Sequence, residues 1–161
     1  MNDAHLHIAI NHFPIIGIIF GLGILVAGLL FKNLTLKNTA YVLFIITAIT
    51  AFASMATGEG AEKMVEQMPD VTKKIIHIHE EVAEKLAFLL YGLALLSLIG
   101  LFLNRKNSSA AKYTAFMILI LAAVGVWLSF ESGTTGGEIR HTEIRSDSAN
   151  AVDEHNPQHV E

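Results

Sequence analysis

The sequence predicts an all-α fold, an integral membrane four-helix bundle made of two parallel helical-hairpin repeats. Apolar residues make up 52% of the 161 residues and charged residues only 16%, a balance typical of membrane proteins. Four apolar runs are each about as long as the roughly 20 helical residues that cross a bilayer. None of these runs alternates apolar and polar residues, so we expect helices rather than the strands of a β-barrel.

The four runs define one transmembrane domain, residues 1–145. We expect its spans at about residues 8–31, 38–57, 82–103 and 113–131. The polar stretch 146–161 is expected to form a disordered tail. The chain has no cysteine, which excludes disulfides, thiolate metal sites and thioether-attached haem.

The two short loops between spans carry the orientation signal. They contain five basic residues and no acid: Lys32, Lys37, Arg105, Lys106 and Lys112. The acidic residues all lie on the opposite side of the predicted bundle. The positive-inside rule therefore predicts cytoplasmic short loops and outward N and C termini, in a bacterial inner membrane.

An internal repeat relates the two halves of the chain. Residues 37–58, "KNTAYVLFIITAITAFASMATG", resemble residues 112–133, "KYTAFMILILAAVGVWLSFESG", in their Lys, Thr-Ala, Ser and final Gly. The stretch "FGLGILVAGLLF" from Phe20 likewise resembles "YGLALLSLIGLF" from Tyr91. We expect two helical hairpins in parallel orientation, related by a pseudo-two-fold axis along the membrane normal.

The histidines all fall on the predicted outward side. Two lie in the tail, and six lie at the outward ends of the first, third and fourth spans: His5, His7, His12, His77, His79 and His141. Helix ends on one side of a bundle are neighbours, so the sequence brings several imidazoles together on one membrane face.

The first functional hypothesis is a haem b with two axial histidines for electron transfer at the outer face. His12 and His79 form the leading pair, because His79 shares a helix face with Ala83 and Leu86. His77 is a weaker candidate, since a polar stripe of glutamates follows it. His7 and His141 could supply a second pair. Aromatic residues are expected to line the slot: Phe13, Phe20, Phe88 and Trp127.

A second hypothesis is a non-haem metal site for copper, iron or zinc. Neutral imidazoles and carboxylates suit these ions, and His12, His79, Glu80 and Glu59 are the candidate ligands. The histidine-to-glutamate order on the third span is not that of the ferritin-like di-iron motif, so the spacing does not select one metal.

Other functions remain open on the sequence alone. The histidines could hydrogen-bond backbone or lipid headgroups in a cofactor-free accessory subunit of a larger respiratory or membrane complex, or in a homo-oligomer. They could also sense pH, because histidine titrates near neutrality. Nucleic-acid binding has no support, since no basic patch accompanies an aromatic surface.

The stretch "HIAINHFPI", residues 7–15, resembles the H-P-x-x-V-H-F-P-I opening of the DUF2231-type family of uncharacterised bacterial four-helix membrane proteins. His7, His12, Phe13 and Pro14 match that pattern, whereas Ile8 stands where the family has proline. The "TGEG" step after the second span resembles a second family motif. The resemblance spans about residues 5–130 and implies the fold and a histidine at the start of the third helix, but no activity.

Overall fold

The structure is a computed structural model that describes residues 3–145, and the predicted tail lies outside the described residues. Five α-helices and one 3₁₀ turn follow each other along the chain. They are α1 (Asp3–Ile10), α2 (His12–Leu30), α3 (Leu34–Val65), α4 (Lys73–Arg105), α5 (Ala111–Arg140) and the 3₁₀ turn Thr142–Ile144.

Four helical stretches are long and apolar enough to cross a membrane, which confirms the predicted fold class. The first combines α1 and α2 into one span, Ala4–Leu30, and the other three are α3, α4 and α5. Large apolar side chains cover the outer surface of the bundle, as a lipid environment requires. The chain is therefore compatible with a multi-pass membrane protein.

The helices extend further than the apolar runs on the side that carries the histidines. α3 continues to Val65, α4 begins at Lys73, and α5 continues to Arg140. Thr72 caps the start of α4, its side-chain oxygen accepting a hydrogen bond from the backbone N–H of Ile75. Hydropathy reports which residues suit lipid, not where a helix ends, so the polar extensions were not included in the predicted spans.

The helices pack in a ring in chain order. α2 packs against α3, α3 against α4, and α4 against α5, while α5 closes the ring against α2. α1 lies on α3. We call the end with the α3–α4 connection the histidine end, and the end with the two tight turns the short-loop end. α2 and α4 lie across the bundle from each other.

Buried residues follow each helix at alternating three- and four-residue steps, the spacing of left-handed helix bundles. On α2 the buried stripe consists of Pro14, Ile18, Gly21, Leu25 and Gly28. On α4 it includes Leu86, Leu90, Leu93, Ser97, Gly100 and Asn104. These stripes determine which side chains reach the bundle axis at the histidine end.

Side-chain size changes along the axis of the bundle. The largest fully buried side chains, among them Tyr41, Phe44 and Leu93, lie in the half nearer the short-loop end. Glycines make room for them: a Cβ on Gly21 would collide with the Phe44 ring. Nearer the histidine end the buried positions include the small residues Ala51, Ala87, Ser129 and Ser132 together with the larger Leu86, Ile75 and Ile76.

The helical hydrogen bonding of the first span is interrupted where α1 meets α2. The backbone N–H of Asn11 still donates to the carbonyl of His7 at 2.9 Å. Pro14, however, has no amide hydrogen for the carbonyl of Ile10. α1, and with it His7, packs against α3.

Candidate functional site

His7 on α1 and His79 on α4 are half-buried and face the interior of the histidine end. His7 contacts α3, and His79 contacts α5. The two rings are close enough to interact electrostatically. Together they define the candidate site.

The His7 ring is held by one turn of α3. Its Nδ1 lies 2.9 Å from the carbonyl oxygen of Ser54 and 3.3 Å from the hydroxyl of Thr57. The Thr57 hydroxyl itself donates to the carbonyls of Ala53 and Ser54, at 3.0 Å each. Since its hydrogen is used there, Thr57 accepts from His7.

The His79 ring is held in the same way by one turn of α5. Its Nδ1 lies 3.1 Å from the hydroxyl of Thr135, and the ring also interacts with the backbone of Ser132. The Thr135 hydroxyl donates to the carbonyl of Glu131 at 3.0 Å and to that of Ser132 at 3.3 Å. Both threonines therefore act as acceptors for an imidazole N–H.

The residues that hold the two rings share a short motif, S-x-x-T-G. It reads "SMATG" at 54–58 and "SGTTG" at 132–136. The ungapped alignment of the two halves instead pairs Ser54 with Ser129, about one helical turn away from Ser132. The hydrogen bonds thus define a local correspondence three residues out of register with the sequence repeat, and the full hairpin repeat stays a prediction.

The hydrogen bonds of His7 select one tautomer of its ring. The carbonyl oxygen of Ser54 can only accept, so Nδ1 of His7 carries the hydrogen. Nε2 of His7 then keeps its lone pair, and the hydrogen bonds described for this ring all involve Nδ1. For His79, the Thr135 hydroxyl already donates to backbone carbonyls, which favours an Nδ1–H there as well. An Nδ1–H bound to a backbone carbonyl is the usual arrangement of a histidine that ligates a metal through Nε2.

Gly136 gives His79 its room against α5. A Cβ on Gly136 would lie 3.0 Å from Cε1 of the ring and 3.4 Å from Nδ1. Gly58 occupies the corresponding place beside His7, where a Cβ would lie 3.9 Å from Cε1. The glycine that ends the motif therefore leaves less space for a side chain on α5, beside His79, than on α3, beside His7.

His12 does not face the site, which corrects its placement in the leading pair. Its side chain is exposed on the outer surface of α2. His7 and His12 are about 140° apart on a helix, so only one of them can point to the axis. The buried stripe of α2 begins at Pro14. Steps of three and four residues from Pro14 toward the N-terminus reach Asn11 and then His7.

The other two candidate histidines also lie outside the site. His77 is exposed beside two glutamates, with Nδ1 3.8 Å from Glu80 and Nε2 3.5 Å from Glu81. His141 follows the end of α5, where it is exposed and lies 3.0 Å from Glu143. The expected second pair, His7 with His141, is therefore not assembled.

The candidate ligands of a non-haem metal site do not converge either. His12 is exposed, and Glu59 is an exposed residue paired with Lys63 at 2.7 Å. Glu80 lies near Glu62 and 3.8 Å from His77. Within residues 3–145, no group of three or more His, Asp or Glu side chains is arranged to hold a metal ion.

The aromatic residues expected to line a cofactor slot face outward. Phe13, Phe20, Phe88 and Trp127 are between 57% and 71% exposed, so they meet lipid rather than the core. Sequence reasoning missed the residues that do form the site besides His79 and His7: Ser54, Thr57, Ser132, Thr135 and Gly136. The S-x-x-T-G pentapeptide, which occurs at 54–58 and at 132–136, is the sequence feature that could have indicated them.

The chain is thus a helical bundle with four helices able to cross a membrane and with a pair of inward-facing histidines at one end. No protein-family model matches the chain, no curated protein matches it, and no solved structure matches it. The DUF2231-type assignment accordingly stays a prediction that rests on His7, His12, Phe13 and Pro14.

Proposed function

We propose that this protein binds one haem b between His7 and His79, at the outward face of a bacterial inner membrane, and transfers electrons there. The observation that carries the proposal is the matched hydrogen bonding of the two rings. The Nδ1–H of His7 is held by the Ser54 carbonyl and the Thr57 hydroxyl, and Nδ1 of His79 is held by the Thr135 hydroxyl. This arrangement would present Nε2 of both rings to a ligand.

The number of converging side chains favours haem over zinc or non-haem iron. Zinc sites use about three or four protein ligands, and mononuclear non-haem iron about three. The described residues bring together only a pair of histidines, without a third acidic or imidazole ligand. A haem supplies the equatorial nitrogens itself and needs from the protein only two axial side chains.

The small residues of the core below the histidines support the same proposal. A flat macrocycle between helices would need space along the bundle axis, and the buried Ala51 and Ser129 occupy little of it. Further from the histidines, the fully buried Phe44 and Leu93 leave less room. His7 and His79 would hold the haem, and the small residues beside them would make room for it.

The proposed orientation follows from charge. The turns at the short-loop end carry Lys32, Arg105 and Lys106, whereas the histidine end carries the acidic residues. A site at the outward end would exchange electrons with a donor or acceptor outside the cytoplasm. The protein would then be an electron-transfer or accessory component rather than an independent enzyme.

The test is a reduced-minus-oxidised absorbance spectrum of the protein purified in detergent from a haem-sufficient host. We expect the bands of low-spin haem with two imidazole ligands, and one extractable haem b per chain. His7→Ala and His79→Ala are each expected to abolish the low-spin spectrum. His12→Ala is the matched control, because it removes a nearby but outward histidine, and it is expected to keep the spectrum.

Two results would reject the proposal. One is a folded, purified protein with no extractable haem from any haem-sufficient host. The other is a spectrum that survives in both His7→Ala and His79→Ala. Metal analysis of the same sample would then show whether copper, zinc or iron occupies the histidine pair instead.

A further inference from the structure

The short-loop end carries positive charge without an acid to balance it. Its two turns and their borders contain five basic residues: Lys32, Lys37, Arg105, Lys106 and Lys112. Neither residues 4–58 nor residues 85–130 contain an aspartate or a glutamate. The ion pairs described within residues 3–145 all lie at the histidine end. The positive charge of the short-loop end is therefore not neutralised within the described part of the chain.

The turn between α4 and α5 concentrates this charge. Three exposed basic residues lie at its borders: Arg105, Lys106 and Lys112. The turn is tight and closed by backbone hydrogen bonds. The N–H of Asn107 donates to the carbonyl of Asn104 at 3.1 Å, and that of Ser108 donates to the carbonyl of Leu103 at 3.0 Å. The end of α4 and the start of α5 are thus held together, and three cations stand beside a single turn.

Two of these cations lie over aromatic rings. Nζ of Lys106 is 5.8 Å from the centroid of the Phe102 ring, and Nζ of Lys112 is 4.8 Å from that of Tyr113. Both distances suit a cation–π interaction. The two rings are 60% and 66% exposed on the outer surface of the bundle. Aromatic side chains at the end of a membrane helix lie at the depth of the lipid headgroups, so the two ammonium groups lie there as well.

We propose that the α4–α5 turn binds an anionic phospholipid, whose phosphate meets Arg105, Lys106 and Lys112. Basic residues beside a membrane helix attract anionic lipids, and no carboxylate of the described chain competes for these three. The exposed rings of Phe102 and Tyr113 continue from the cations onto the apolar surface, where acyl chains would lie. Free phosphate has no acyl chain to use that surface. The inference depends neither on haem nor on the orientation of the protein.

Native mass spectrometry of the purified full chain in detergent tests the lipid class. We expect phosphatidylglycerol to bind at least about tenfold more tightly than phosphatidylcholine with the same acyl chains. Because the attraction is between charges near the surface, about 0.5 M sodium chloride is expected to weaken it. Inorganic phosphate at the concentration of the lipid is expected not to displace phosphatidylglycerol.

Two triple variants that each remove three positive charges test the position of the site. The first is Arg105→Gln, Lys106→Gln and Lys112→Gln. We expect it to lower the affinity for phosphatidylglycerol at least about twentyfold, since each cation near a membrane surface contributes about fivefold. The matched control is Lys63→Gln, Lys73→Gln and Lys85→Gln, in which each lysine is paired with a glutamate, at 2.7, 3.2 and 3.4 Å. It is expected to keep the affinity within about twofold.

Three results would overturn the proposal. They are equal binding of the two lipids, equal losses of affinity in the two triple variants, and displacement of the lipid by inorganic phosphate. Single variants decide the matter if the first triple variant does not fold. Lys106→Gln and Lys112→Gln are each expected to weaken phosphatidylglycerol binding about fivefold, and Lys85→Gln is expected to leave it unchanged. Equal affinities in these three variants would also overturn the proposal.

Discussion

Gly136 approaches the His79 ring so closely that a Cβ in its place would lie 3.0 Å from Cε1. This contact is tighter than ordinary van der Waals packing, so a side chain at position 136 would require the imidazole to shift by a few tenths of an ångström. The position of His79 therefore depends on a residue that makes no hydrogen bond to it.

The first prediction follows from that contact. Gly136→Ala is expected to destabilise the fold by about 1–3 kcal/mol through overpacking, and to lower the haem retained per chain. Gly58→Ala is the matched change beside His7, where a Cβ would lie at an ordinary 3.9 Å. It is expected to have little effect on either quantity. Thermal unfolding in detergent and haem-to-protein ratios measure both, and equal losses in the two variants would contradict the prediction.

The sequence predicted the helices more completely than the site. Continuous apolar runs identify spans because lipid contact demands them, so α2, α3, α4 and α5 were all expected. The sequence favoured His12 over His7, although both lie near the apolar run and only the phase of the helix separates them; in the structure the His12 side chain is exposed and His7 is half-buried. The buried stripe of α2 shows this phase. When its three- and four-residue steps are continued from Pro14 toward the N-terminus, they reach His7 and not His12.

The contacts of the two threonines with the histidines could not be predicted from the sequence. Thr57 and Thr135 are ordinary polar residues at the ends of spans, and nothing in their spacing from His7 or His79 along the chain indicates a contact. Only the packing of α1 on α3 and of α4 on α5 brings them together. Predicting such tertiary contacts requires the register between neighbouring helices. The repeat alignment pairs Ser54 with Ser129, three residues away from Ser132, the residue that meets His79.

The second prediction concerns the tightly packed half of the core. Gly21→Ala is expected to lower thermal stability by about 1–3 kcal/mol, because its Cβ would collide with the Phe44 ring. Gly23→Ala, two residues away, places a Cβ in open space and is expected to cause no loss. Unfolding of both variants in the same detergent decides this, and a destabilised Gly23→Ala would count against the described packing.

The third prediction concerns the link between α3 and α4 at the short-loop end. The Asn104 amide donates to the Asn38 side-chain oxygen at 2.7 Å. A double-mutant cycle with Asn104→Ala and Asn38→Ala is expected to show a coupling of about 0.5–1.5 kcal/mol, as for hydrogen bonds between membrane helices. Additive losses, with no coupling, would show that the two amides do not interact.

The fourth prediction concerns Arg145, which joins the end of α5 to the α3–α4 connection. Its Nε donates to the carbonyl of Glu138 at 3.0 Å, and Nη2 donates to the carbonyl of Asp70 at 2.6 Å. Arg145→Gln is expected to destabilise the protein by about 2 kcal/mol and to speed amide exchange in the α3–α4 connection. Arg140→Gln, which alters an exposed residue in contact with Met68, serves as the control and is expected to stay within about 0.5 kcal/mol.

The fifth prediction concerns orientation. Because the chain has no cysteine, single cysteines report their own side of the membrane. In intact cells we expect a membrane-impermeant maleimide to label Gln67→Cys, in the α3–α4 connection, and not Ser109→Cys, at the short-loop end. Labelling of Ser109→Cys alone would reverse the proposed topology and place the histidine pair in the cytoplasm.

The uneven size of the core side chains also bears on how the protein is assembled. Phe44 and Tyr41 interlock with glycines of neighbouring helices in the half nearer the short-loop end, so that half has most of what it needs to close after insertion. The histidine half, with its alanines and serines, has less apolar surface to draw its helices together. We therefore expect the helices to close first at the short-loop end and last around the histidines.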